Sequence, residues 1–193
     1  MRPLSRVSRK MQRCGQAQTG HRPRPVVSLD SIIEMDDQAW SVVRSWAYHE
    51  AGHAVAAHFL GHHVVRCEIS VAPGEGAGTC IDHDDNQRDV ALFALAGPAS
   101  QLLFDARHGQ DAPEWIELCR GLNDHDVQAT MAAIRTWMTD PDPAPRLREL
   151  RELEQAAQEL IAADEPQRLI QRVAEALSTE LVLDEERLRQ LLQ

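Results

Sequence analysis

One pentapeptide limits what this chain can build more than any other stretch: His49-Glu50-Ala51-Gly52-His53, within Trp46 to Leu60. Val42, Val43, Trp46, His49, Glu50, His53, Ala57 and Leu60 follow helical spacing and predict a long helix. It starts near Asp36–Asp37, where acids suit a helix N-terminus, and stops at Gly61. Positions four apart share one helix face, with Cβ atoms about 5–6 Å from each other. His49 and His53 can therefore point two imidazoles at one metal ion, with the Glu50 carboxylate beside them. Zn²⁺ in such a site lowers the pKa of a water toward about 7, and a neighbouring carboxylate can take its proton. The expected chemistry is that of a zinc hydrolase.

The bulk composition allows this. A chain of 193 residues fits one domain or one domain with an extension, and 43% hydrophobic content can fill a core. Only 4% is aromatic, so aliphatic and Ala packing must dominate. The formal net charge of −10 argues against nucleic acid as the main partner. That charge is uneven. Residues 1–25 hold Arg2, Arg6, Arg9, Lys10, Arg13, Arg22 and Arg24 and no acid, leaving 13 Arg against 30 acids in the remainder. This arm is poor in apolar residues, and residues 1–28 are expected to be disordered. Cys14, Cys67, Cys80 and Cys119 form no C-x-x-C pair, so reduced thiols in the cytoplasm are expected. No apolar run reaches the roughly 18–20 residues that span a bilayer.

The rest of the chain reads as mainly α with a small β-sheet, an α+β class. Residues 64–71 and 77–81 are candidate strands around a turn at 72–76, followed by an acidic loop, Asp82-His83-Asp84-Asp85. Residues 87–104 predict a second helix, which Pro98 in Gly97-Pro98-Ala99 should kink or restart. Trp115, Ile116 and Leu118 mark a short helical turn, and a third helix runs from Asn123 through Met138. After the Pro-rich break at 140–145, residues 146–163, 166–177 and 184–192 read as further amphipathic helices. His58, His62 and His63 read as solvated or capping residues at the first helix's C-terminus.

A catalytic zinc takes three protein ligands plus water, so two histidines are not enough. The pattern H-E-x-x-H-x-x-G-x-x-H needs Gly at 56 and His at 59, where this chain has Ala56 and Phe59. That leaves Glu114 or Glu117, the Asp82–Asp85 loop with His83, or an aspartate at the start of the third helix, Asp124 or Asp126. Any Asp at a helix start also serves as a cap.

Three segments in order then resemble the FtsH-type zinc peptidases. Ala47-Tyr48-His49-Glu50-Ala51-Gly52-His53-Ala54-Val55 resembles that family's zinc helix. Leu95-Ala96-Gly97-Pro98-Ala99-Ser100-Gln101-Leu102-Leu103 resembles its Gly-small-Ala-Glu segment, with Gln101 and Leu102 where the family has acids. Gly121-Leu122-Asn123-Asp124, followed by Ala129-Thr130, resembles its ligand-bearing Asn-Asp and Ala-Thr. The resemblance covers about residues 40–140. It implies a zincin-like helical metallopeptidase domain over 29–140, Zn²⁺ on His49, His53 and Asp124, and Glu50 as general base. The spacing departs by one residue: aligning Ala129-Thr130 puts His125 at the ligand position, while Val127 favours Asp126.

The chain carries no G-x-x-x-x-G-K-[ST] loop and no room for an ATPase domain. The expectation is a stand-alone metalloendopeptidase acting on protein or peptide, with 141–193 as an amphipathic helical extension and an external ATPase or self-association as candidate partnerships. The other reading is a catalytically inactive metal-binding or protein-interaction module derived from such a domain.

Overall fold

A helix that is small or apolar on every face is stable only when surrounded. Helix α1 (Asp37–Phe59) is such a helix in its second half: Ala51, Gly52, His53, Ala54, Val55, Ala56 and Ala57 are all buried. The computed structural model describes residues 37–70, 77–82, 86–108, 125–140 and 142–193, and α1 runs through the middle of them. Around it lie strands β1 (His63–Ile69) and β2 (Ala77–Asp82), helices α2 (Gln87–Arg107), α3 (His125–Trp137), α4 (Pro143–Ala162) and α5 (Asp164–Glu180), strand β3 (Val182–Asp184) and helix α6 (Glu185–Leu191). The architecture is mainly helical with one three-stranded antiparallel sheet, ordered β2-β1-β3.

Gly61 ends α1 in the left-handed region, at φ 80°. Its N–H donates to the His58 carbonyl at 3.1 Å and the His62 N–H to the Ala57 carbonyl at 2.8 Å. This is the paired bond set of a glycine-terminated helix, and it turns the chain straight into β1. Strict alternation along β1 would send residues 64, 66 and 68 to the same face. The register slips at Val65, so that Val64 and Cys67 both face inward. A bulge of this kind shifts one residue out of the ladder and re-aims those that follow. Cys67 pairs with Thr79 on β2 and with Leu183 on β3.

Helix α2 crosses α1 antiparallel and close. A Cβ on Gly52 would lie 2.6 Å from the Ala96 carbonyl oxygen, so only glycine permits the approach. Contrary to the expectation from sequence, α2 runs unbroken through Pro98. An interior proline removes one backbone hydrogen bond and costs ~3 kcal/mol. Residues 94–101 are all buried, and Leu95 alone contributes ~1.5–3 kcal/mol by burial. Packing on α1 outweighs the local penalty.

The segment after 142 belongs to the same core as α1. Ile161, Leu169, Ile170, Val173, Ala174, Leu177, Leu183 and Leu188 pack with Val43, Ala47, Ala51 and Val55. A second cluster, Ala91, Leu95, Ala133, Ile134, Leu153 and Ala157, joins α2 to α3 and α4. Strand β3, which sequence patterning did not anticipate, is three residues long. It begins after Leu181, whose left-handed φ of 60° turns the chain out of α5. Among the described residues no helix is long and apolar enough to cross a membrane. The basic arm, the turn at 72–76, the acidic residues 83–85 and the 115–118 turn lie outside the described residues.

Candidate metal centre

The i,i+4 spacing on α1 brings His49 Nε2 and His53 Nε2 to 3.1 Å from each other. Asp126, in the first turn of α3, completes a triangle. Its Oδ2 lies 3.1 Å from His49 Nε2 and 3.6 Å from His53 Nε2. Ligands bonded to Zn²⁺ at about 2.0–2.1 Å in tetrahedral geometry sit about 3.4 Å apart, which matches all three edges.

The opposite side of each ring explains the orientation. His53 Nδ1 lies 2.7 Å from the Phe93 carbonyl oxygen, which can only accept, so Nδ1 carries the hydrogen. His49 Nδ1 lies 3.0 Å from Gln101 Oε1. In the neutral rings, both Nε2 lone pairs then face one another and an aspartate oxygen. Three acceptors this close repel unless a cation or a proton lies between them. Burial alone would push the His53 ring down, but the hydrogen bond and charge of Asp126, helped by Glu50 and the Phe93 carbonyl, hold it up at about 9. Burial would likewise raise the Asp126 carboxyl, but both histidines outweigh it and hold it well below the usual carboxylate range. The donor set of two imidazoles and one carboxylate fits a divalent metal of the zinc type.

The Glu50 carboxylate lies beside the two imidazoles. His49, Glu50 and His53 each offer a ligand atom within 4.8 Å of the others. The Glu50 carboxylate is held back by β2: Thr79 Oγ1 donates to Glu50 Oε2 at 2.8 Å and lies 3.2 Å from the Glu50 backbone carbonyl. Cys67 Sγ sits 3.3 Å behind Thr79 Oγ1, and burial together with the nearby Glu50 pushes its thiol up. The β1–β2 register thus delivers a hydroxyl to Glu50, a buried acid of α1.

Glycine makes the histidine side possible as well. A Cβ on Gly97 would overlap the His53 ring, so α2 can cross there only without a side chain. Thr130 Oγ1 donates to the Asp126 backbone carbonyl at 2.8 Å and is itself fully buried, fixing the turn that carries Asp126.

The structure therefore brings His49, Glu50, His53 and Asp126 together. Asp124, preferred on the Asn-Asp resemblance, lies outside the described residues, as do Glu114, Glu117 and His83. His125 is solvent-exposed. His62 does sit in the cap of α1 through its N–H, but its ring is not solvated: Nε2 lies 3.4 Å from Asp89 Oδ2, with only 7% of the side chain exposed. Sequence patterning missed Ser45, Thr79 and Asp105. One signal was available: Ser45 and His49 on α1, and Gln101 and Asp105 on α2, are both polar pairs four apart on otherwise buried faces. No family model matches the chain, and no curated protein matches it either.

Proposed function

We propose that this chain is a zinc-dependent metallopeptidase of the FtsH-like type, with a zincin-like fold, in which His49, His53 and Asp126 hold the metal and Glu50 is the general base. The observation that carries this reading is the triangle of His49 Nε2, His53 Nε2 and Asp126 Oδ2, with edges of 3.1, 3.1 and 3.6 Å, next to a buried carboxylate that is not part of it. Zn²⁺ bound there would acidify a water and polarise a peptide carbonyl. Glu50 takes the proton of the attacking water and passes it to the leaving nitrogen. Thr79 leaves one Glu50 oxygen for that task by occupying the other. Strand β2 is an outer strand of the sheet, and an outer strand can pair with an extended peptide. Thr79 lies on it, so the base and the peptide-holding edge would be tied by one hydroxyl.

The test is zinc content and cleavage of a flexible protein substrate, in wild type and Glu50→Gln. Wild type is expected to hold one zinc and cleave; the variant keeps zinc and loses at least about 100-fold in rate. Full hydrolysis by Glu50→Gln, or no zinc in wild type, overturns the proposal.

A further inference from the structure

His49 differs from His53 in what fixes its ring. His53 faces a backbone carbonyl, which cannot change role. His49 faces a side-chain amide, which can turn over and present a donor instead. An amide NH₂ against Nδ1 would force the hydrogen onto Nε2 and remove the lone pair that a metal needs. Something must hold Gln101 the right way round.

The structure places that control on three buried groups between α1 and α2. Gln101 Nε2 lies 2.8 Å from Ser45 Oγ, and Ser45 Oγ lies 3.2 Å from Asp105 Oδ1. Ser45, Gln101 and Asp105 are 8%, 6% and 7% exposed, so water does not compete for these bonds. The directions follow from the far end. Ser45 donates its single hydroxyl hydrogen to Asp105 Oδ1, a bond that favours the ionised carboxylate against the burial that raises its pKa. Ser45 Oγ can then only accept from Gln101, so the Gln101 NH₂ faces Ser45. Its Oε1 is left to face His49 Nδ1 and to accept a hydrogen from it, against the pull of Asp126 Oδ2, 3.1 Å from His49 Nε2, on the same hydrogen. Antiparallel crossing of two i,i+4 pairs, Ser45/His49 and Gln101/Asp105, sets the groups in this order.

We propose that Asp105, Ser45 and Gln101 form a one-way hydrogen-bond relay that sets the tautomer of His49 and keeps its Nε2 lone pair aimed at the metal position. They are positioning residues, and Asp105 acts at a distance of three hydrogen bonds. The metal itself rests on the metallopeptidase reading; the Asp105–Ser45–Gln101 path does not, and it favours hydrogen on His49 Nδ1 wherever no proton is held between Nε2 and Asp126. Gln101 is the element that makes the relay directional. A carboxylate at 101 would accept from His49 and Ser45 alike and would need no Asp105 to orient it.

Two measurements test the relay. Histidine-ring ¹⁵N NMR of metal-free Asp126→Ala protein, at a pH where the rings are neutral and with no carboxylate competing for a hydrogen on His49 Nε2, reads the His49 tautomer directly. Zinc affinity by chelator competition reads its consequence. The Asp126→Ala protein should show His49 with hydrogen on Nδ1 and a bare Nε2. Adding Ser45→Ala or Asp105→Ala to it should give mixed tautomers, and each of these two changes alone should lose about tenfold in zinc affinity. Gln101→Leu should lose about 10–100-fold, the range for removing a partner behind a metal-bound histidine. Gln101→Glu should restore affinity to within a few fold of wild type, which a purely space-filling role at 101 would not do. Ser45→Ala is the mildest change, and its thermal midpoint separates loss of fold from loss of orientation. An unchanged tautomer in these double variants, with wild-type zinc affinity in Ser45→Ala and Asp105→Ala, would overturn the relay. A wild type that binds no zinc would sink the metallopeptidase reading, and the relay would still stand or fall on the metal-free tautomer: an Nε2–H ring in Asp126→Ala overturns it.

Discussion

Asp126 Oδ2 lies 3.1 Å from His49 Nε2, joining the first turn of α3 to the middle of α1 across 77 positions of sequence. The carboxylate that meets both histidines is therefore one that a sequence pattern would equally well read as a helix-start acid. Asp126→Ala is expected to lose bound zinc, whereas Asp124→Ala should keep it. Metal analysis of the two purified variants checks this; zinc lost only in Asp124→Ala would move the ligand to that residue.

The same cluster predicts a pH dependence in the metal-free protein. The His53 ring is held up at about 9, above its ordinary 6.5, so its contribution to stability is full below pH 6.5 and is lost as pH rises through about 9. Asp126 is held below its ordinary 3.8, so its contribution is present above that pH and fades on acidification. Urea midpoints of the metal-free protein should thus decline toward both extremes. Zinc uptake at neutral pH must displace the His53 proton and should release about one proton, read by calorimetry in buffers of different ionisation enthalpy.

Thr79→Val keeps the shape of residue 79 and removes the hydroxyl from Glu50. Zinc binding should be unchanged, since Thr79 touches none of the three proposed ligands. Peptide hydrolysis should fall about tenfold in kcat, the rate equivalent of one hydrogen bond of about 1.4 kcal/mol. Thr79→Ser should recover most of the loss. Equal rates for Val and wild type would show that Glu50 needs no such support.

Two glycines separate steric from backbone requirements. Gly97→Ala would ordinarily favour a helix by about 0.5–1 kcal/mol. Its methyl would strike the His53 ring, so a net destabilisation of about 1–3 kcal/mol and weakened zinc binding are expected. Gly61→Ala meets nothing within 4 Å but must adopt φ 80°. It should lose about 1–2 kcal/mol and leave zinc affinity intact. Denaturation with parallel zinc titration distinguishes the two.

Leu177 on α5 is fully buried against the cluster that surrounds α1. Leu177→Ala is expected to cost about 2–5 kcal/mol and to lower a single cooperative transition. A separate, lower transition for the C-terminal helices, with the remainder unaffected, would show instead that 143–193 unfolds as an independent unit.

The sequence by itself determined what depends on neighbours in the chain. His49, Glu50 and His53 lie within one helical turn, so their spacing alone places two imidazoles on one face and an acid beside them. The long helices follow from apolar periodicity, and Gly61 from the need for a left-handed end. Tertiary structure decided what depends on elements far apart. Capping and ligation ask for the same residue type at the start of α3, and only the packing of α3 against α2 brings Asp126 to both histidines. β3 is too short to show a period and exists because β1 offers it an edge. Pro98 stays helical because burial outweighs its local cost. Ser45, Gln101 and Asp105 look like scattered polar residues along the chain. They become a connected path to His49 only when α1 and α2 cross closely enough, at Gly52 and Gly97, to bring two pairs four residues apart into hydrogen-bond range.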